Sequence, residues 1–137
     1  MMKPFDVLEL LETVQVFENK LNLALMYSGL RLPQFRAMVF MEKAGKITVS
    51  DLGRQQGISR ATASVLVASL KKAGIIESVS NSADKRSFYI RLTASGLNRL
   101  QLAKKEVALV EERLVQKIPQ DILPALKALA VSMRQNL

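Results

Sequence analysis

Apolar residues recur along the first stretch of the chain at spacings of four and three, at Leu10, Val14, Phe17, Leu21 and then Ala24 or Leu25. That period puts them on one helix face and predicts an amphipathic helix from about Phe5 to Tyr27, bracketed at its end by Gly29 and Pro33. A second helix is expected from about Pro33 to Ala44, with Phe35, Met38 and Val39 apolar, proline in the first turn and Gly45 closing it. "TVSDLGRQQG" sets Thr48 as N-cap with Asp51 three residues on, a capping-box spacing for a short helix that Gly57 ends. Ser59 then caps "RATASVLVASLKKAG", where Ala61, Val65, Leu66 and Leu70 are the expected apolar positions, and Lys71 and Lys72 lie at the negative end of the helix.

Beyond Gly74 the period changes. A short run with Ile75, Ile76 and Val79, a polar tip, and the alternation Phe88, Ile90, Leu92 predict a hairpin with Tyr89 and Arg91 facing outward. Thr93 starts a helix of some six turns carrying Leu97, Leu100, Ala103, Val107, Val110, Leu114 and Ile118. Pro119 opens a last helix with Ile122, Leu126, Leu129 and Met133, in which Pro124 lies either near the first turn or at the true start.

Two helices joined by about three residues that include a glycine, followed directly by a two-stranded hairpin, define a winged helix-turn-helix. The fold class expected is therefore mainly α with a small β-hairpin wing, with 1–137 as a single domain. Residues 31–100 form its DNA-binding lobe, and 1–30 with 97–137 form a helical region. The long terminal helices hold more apolar positions than such a lobe needs: Leu8, Leu11, Leu23, Leu25, Leu102, Leu109, Val115, Leu123, Ala130 and Leu137 leave a second apolar face. A second copy of the chain would cover it, so these are expected to be dimerisation helices of a homodimer.

Composition narrows the chemistry. The 137 residues contain neither cysteine nor histidine, which excludes disulfides, thiol nucleophiles, a histidine base and soft metal sites. No cofactor and no metal are expected. Nor is an enzyme, since Glu111 and Glu112 lie on a helix surface and no phosphate-loop spacing occurs. No apolar run approaches the roughly 18 to 20 residues of a membrane span, and Asp6, Glu9 and Glu12 stand where a signal peptide would be apolar. A cytoplasmic protein without membrane contact is the expectation.

The net charge is +8, and its placement matters more than its size. Between Arg31 and Leu100 there are twelve basic and four acidic residues, whereas the flanks hold eight of each. All of the excess therefore falls in the middle unit, the footprint of a surface that meets a polyanion such as double-stranded DNA.

The run "ITVSDLGRQQGISRATASVLVASLKKAGIIESVSNSADKRSFYIRLTASG" resembles the MarR (multiple antibiotic resistance regulator) family of winged-helix transcription factors. Its most specific part is a wing signature, here Asp84 and Arg86, then a strand, then Leu92, Thr93 and Gly96. The resemblance implies a dimer held by the terminal helices, with one recognition helix of each subunit in a major groove and the wing beside the adjacent minor groove. The matching recognition-helix positions are Ser59, Arg60, Ala61, Thr62 and Ser64. Arg60 can reach guanine or phosphate, the hydroxyls bases or phosphates, and Ala61 allows close approach to thymine methyls. The chain departs from the family at Val65, where a basic residue often stands, and at Ser78, where many members have arginine. That shifts the expected electrostatic load to Lys71, Lys72, Lys85 and Arg91.

At the wing tip Arg86 is expected to enter a narrow minor groove, Lys85 to meet a phosphate, and Asp84 to pair with Arg86 or fix the turn by an Asx bond. Phe88, Ile90 and Leu92 would anchor the wing to the core. Many family members release DNA on binding an aromatic anion, and Phe17, Tyr27, Arg31, Phe35 and Arg36 are the candidate lining of such a small-molecule pocket. The function expected is that of a dimeric regulator of pseudo-palindromic operators, a repressor, with a protein-binding adaptor on the same scaffold as the alternative.

Overall fold

The structure, a computed structural model, describes residues 6–80, 83 and 88–136. Asp84, Lys85 and Arg86, the expected wing-tip contacts, lie outside the described residues. Helix α1 (Val7–Leu25) runs into a 3-10 turn (Met26–Ser28) and is followed by α2 (Leu32–Ala44), α3 (Val49–Gln56) and α4 (Arg60–Lys72). Strands β1 (Ile76–Ser80) and β2 (Phe88–Leu92) precede α5 (Ala94–Lys117) and α6 (Ile122–Asn136). Pro124 is the third residue of α6, so the helix starts before it and its missing N–H falls among donors that have no helical partner.

The helix starts follow from side chains that satisfy free backbone donors. Asp6 accepts from the amides of Leu8 and Glu9. At α3 the Thr48 hydroxyl accepts from the Asp51 amide while the Asp51 carboxylate accepts from the Thr48 amide, each at 3.0 Å. That closes the capping box that the sequence spacing predicts. Between α3 and α4 the chain turns through Gly57 at φ +68°, a left-handed conformation that a side chain resists.

Strands β1 and β2 pair antiparallel, with Ile76 opposite Leu92, Glu77 opposite Arg91 and Val79 opposite Tyr89. Ile47 bonds the other edge of β2 through two hydrogen bonds with Ile90, of 3.0 and 2.7 Å, so the hairpin is tied back to the segment before α3. The core gathers Leu25, Met38, Met41, Leu52, Leu70, Ile75, Ile90 and Leu100, each fully buried. Burying each such side chain stabilises the fold by about 1.5–3 kcal/mol.

Two expected faces are corrected by this core. On α4 the buried positions are Ala63, Val67 and Leu70, with Leu66 half-buried, whereas Ala61 and Val65 point to solvent. Both stripes fit a helical period; what rotates the helix is the packing of α3, whose Gly53 would place a Cβ 3.8 Å from that of Ala63. On β2 only Ile90 is fully buried. Leu92 packs partly on the core, but Phe88 is 41% exposed and does not anchor the wing. Phe88 begins the strand, opposite Ser80 at the end of β1 farther from the core.

The terminal helices are the other departure from a self-contained fold. Of α1, only Leu25 is buried, and even the predicted inner positions Leu10 and Val14 are exposed. On α6 every described side chain is exposed except half-buried Leu123. Among the described residues no helix is long and apolar enough to cross a membrane.

Candidate nucleic-acid interface

One face of α4 is free. Ala61, Ser64, Val65, Ala68 and Lys72 recur at spacings of three and four along it and all are exposed, as are Arg60 and Thr62 at its start. Ser59 is the N-cap: its Oγ accepts from the Thr62 amide at 3.1 Å and its hydroxyl donates to Thr62 Oγ1 at 3.0 Å. The two hydroxyls are thereby pre-oriented, and the first turn presents Arg60 and its unpaired amide donors together. A cation at a helix N-terminus opposes the helix dipole, whereas Lys71 and Lys72 at the other end complement it. Arg60 thus gains nothing from the helix dipole, and its side chain is exposed to solvent.

The other expected cations differ in what holds them. Lys72 is exposed. Lys71 is half-buried, with its ammonium 4.4 Å from the centre of the Phe88 ring. This stacking explains the exposed aromatic at the start of β2. Arg91 donates to Glu77 across the hairpin at 2.9 Å, a partly exposed pair, so its charge is already offset. Lys46 was not singled out by the sequence, and it lies 4.7 Å from the centre of the Tyr89 ring. Its only signal would have been the pairing of Ile47 with Ile90, which brings the end of α2 to β2.

The base of the hairpin is locked to α5. The Thr93 amide donates to the Ile75 carbonyl at 3.0 Å, and the Thr93 hydroxyl points at the carbonyls of Gly74 and Ile75, at 2.7 and 3.1 Å. Thr93 also caps α5 by accepting from the Gly96 amide at 2.9 Å. Gly96 itself is pressed on Ile75: a Cβ there would lie 2.0 Å from the Ile75 carbonyl oxygen. The Leu92, Thr93, Gly96 signature is therefore a joint between the end of α4, the hairpin and α5.

Farther along, Arg99 donates to the Ser28 carbonyl from two nitrogens, at 3.3 and 2.7 Å, and fastens the 3-10 turn to α5. Glu42 on α2 accepts from Gln101 at 2.8 Å and from Lys104, both on α5. The Lys104 hydrogen bond holds the Glu42 carboxyl below the usual carboxylate range, and partial burial opposes it.

The five candidate pocket residues are not brought together. Tyr27 lines a cavity of about 900 Å³ between the end of α1 and the second half of α5, beside Lys20, Leu23, Glu106 and Arg113. Arg31 lines a separate one of about 810 Å³ with Asn19, Asn22, Leu30 and Pro33. Phe35 packs partly on the core, Phe17 is half-buried, and Arg36 is exposed; none of these three lines either cavity.

Three-residue-linked helices α3 and α4, the hairpin behind them and the Ile47 bridge define a winged helix-turn-helix protein. The model of the MarR family matches residues 28–87, from the end of the 3-10 turn past strand β1. No curated protein sequence matches the chain. Among solved structures, the transcriptional regulator PA4135 is 21% identical with a TM-score of 0.86, over 98% of this chain and 99% of that one. A mutant MarR from E. coli complexed with operator DNA is 21% identical with a TM-score of 0.84, over 91% of each chain. NadR in complex with 4-hydroxyphenylacetate is 19% identical with a TM-score of 0.80, over 100% of this chain and 99% of that one. At these identities the likeness concerns the fold.

Proposed function

We propose that this protein is a dimeric, sequence-specific DNA-binding transcriptional regulator that represses from pseudo-palindromic operators. The observation that carries the reading is the free face of α4, with Arg60 set against the helix dipole at one end and Lys72 at the other. It lies within the only stretch of the chain that holds excess positive charge. The likeness to a MarR bound to operator DNA agrees with it. In this reading 31–100 is the DNA-binding lobe, and 1–30 with 97–137 is the dimerisation region. The exposed Leu8, Leu11, Leu102, Leu109 and Leu126 support that division, because an apolar area spread over three helices favours a two-fold partner. Ser59, Arg60, Ala61, Thr62 and Ser64 face the major groove, and Asp84, Lys85 and Arg86 belong to the wing beside it.

A small aromatic anion as effector is the finer part of the proposal. Its support is the likeness to NadR bound to 4-hydroxyphenylacetate, and the cation-rimmed, apolar-floored cavity beside Tyr27.

The test is retardation of the protein's own promoter fragment, titrated against salt. Binding should fall steeply with salt, protect half-sites about one helical turn apart, and be abolished by Arg60→Ala. If the wild-type protein retards no such fragment at low salt while Arg60→Ala still captures a protein partner, the adaptor reading replaces this one.

A further inference from the structure

Val65 is 71% exposed, and it is the one large apolar side chain of α4 that is exposed. The core does not need it, because Leu66, Val67 and Leu70 supply the packed side of the helix. The helix does not favour it either, since a β-branched residue at a solvent position lowers helical propensity relative to alanine. Its neighbours along the same face, Ala61 one turn before and Ala68 one turn after, are too small to cover it. Val65 therefore stands above the surface at the middle of the free face. No charged residue occurs on α4 between Arg60 and Lys71, so this middle offers hydroxyls and methyls only.

In a major groove, the base-edge group that an aliphatic side chain can recognise is the 5-methyl of thymine; the other edges present donors and acceptors that such a side chain would leave unpaired. We infer that Val65 is a specificity-determining residue that reads a thymine methyl in each half-site. This rests on the DNA-binding reading above. It gives the α4 face two kinds of contact: hydroxyl donors from Thr62 and Ser64, and a protruding apolar contact made by Val65 between its alanine neighbours. A polar base edge placed at the same point loses its hydrogen bond to water and gains none from the protein.

The experiment uses the full-length protein and genomic fragments that it selects. In the tightest fragment each thymine is replaced singly by deoxyuridine, which removes the 5-methyl and keeps the base pair. Affinities for wild type and Val65→Ala are then compared at one salt concentration. One thymine per half-site should be found where the loss of the methyl weakens wild-type binding by about fourfold, the worth of one buried methyl group. The same replacement should leave Val65→Ala unchanged. The variant cannot fail through misfolding of the core, since the side chain is exposed and alanine is the better helix former; its circular dichroism checks this. If wild type and Val65→Ala lose affinity in the same ratio at every thymine, the inference is overturned while DNA binding stands. If no fragment is retained at all, both readings fall together.

Discussion

Gly96→Ala is the sharpest test of how the hairpin is joined to α5. On an open helix the change would stabilise by about 1 kcal/mol, because alanine is the better helix former. Here the new Cβ would lie 2.0 Å from the Ile75 carbonyl oxygen, 2.9 Å from its carbonyl carbon and 3.1 Å from its Cα. All three are backbone atoms, so no side chain can swing aside. The start of α5 and Ile75 must separate, and the bonds that meet there go with them: the Thr93 amide to Ile75, and the Thr93 cap on the Gly96 amide. Losing a cap costs about 1 kcal/mol and a buried hydrogen bond about 1 kcal/mol, with overpacking adding about 1–3 kcal/mol. Set against the propensity gain, the net loss should be about 2–4 kcal/mol of unfolding free energy. Urea titration followed by circular dichroism reads it as a lower midpoint at similar slope. A variant as stable as wild type, or more so, refutes the joint. The hairpin base would then not be held by close approach at Ile75.

Asp51→Asn should destabilise the protein at neutral pH, because the Thr48 amide hydrogen bond, helped by Arg54, holds the Asp51 carboxyl below its usual range. A lowered folded pKa gives stability that is present above the unfolded carboxylate value and lost as pH falls through the folded one. Urea midpoints of wild type and variant should therefore converge below about pH 4. Glu42→Gln removes the charge that Lys104 holds between α2 and α5 and should cost under about 1 kcal/mol in the same titration, since the pair is partly exposed. Lys72→Ala should weaken binding to all DNA sequences and reduce the salt slope by about one unit. Arg91→Ala should reduce that slope less, because Glu77 already offsets its charge; equal slopes would place Arg91 among the phosphate contacts.

Helix positions and caps were legible because each has a local cause. Thr48 with Asp51, Ser59, Thr93 and the closing glycines act within a few residues, and the structure uses them as the spacing predicts. Which face of α4 turns inward was not legible, because Ala61 with Val65 and Ala63 with Val67 are equally good stripes. Only the approach of Gly53 on α3 to Ala63 decides between them. Phe88 failed for a related reason: alternation sets its side of the strand but not how far the core extends along it, and Lys71 meets its ring instead. The Arg91–Glu77 pair needed the hairpin register, and Phe17, Phe35 and Arg36 were grouped with Tyr27 and Arg31 by chemistry that three-dimensional placement does not support. Arg99, which ties Ser28 to α5 across the chain, carries no local signal at all.

Helix α4 has its cations at its two ends and none between them. From Arg60 to Lys72 the helix rises roughly 18 Å, so in the proposed complex the uncharged middle of its free face would meet the bases while Lys72, at its far end, would meet a phosphate. In that complex ionic strength would act on the charged end and base identity on the middle. A rise in salt would then loosen the grip on operator and random DNA nearly in step. The ratio between the two would hold, and the speed of searching along a chromosome could change without changing which site is finally chosen.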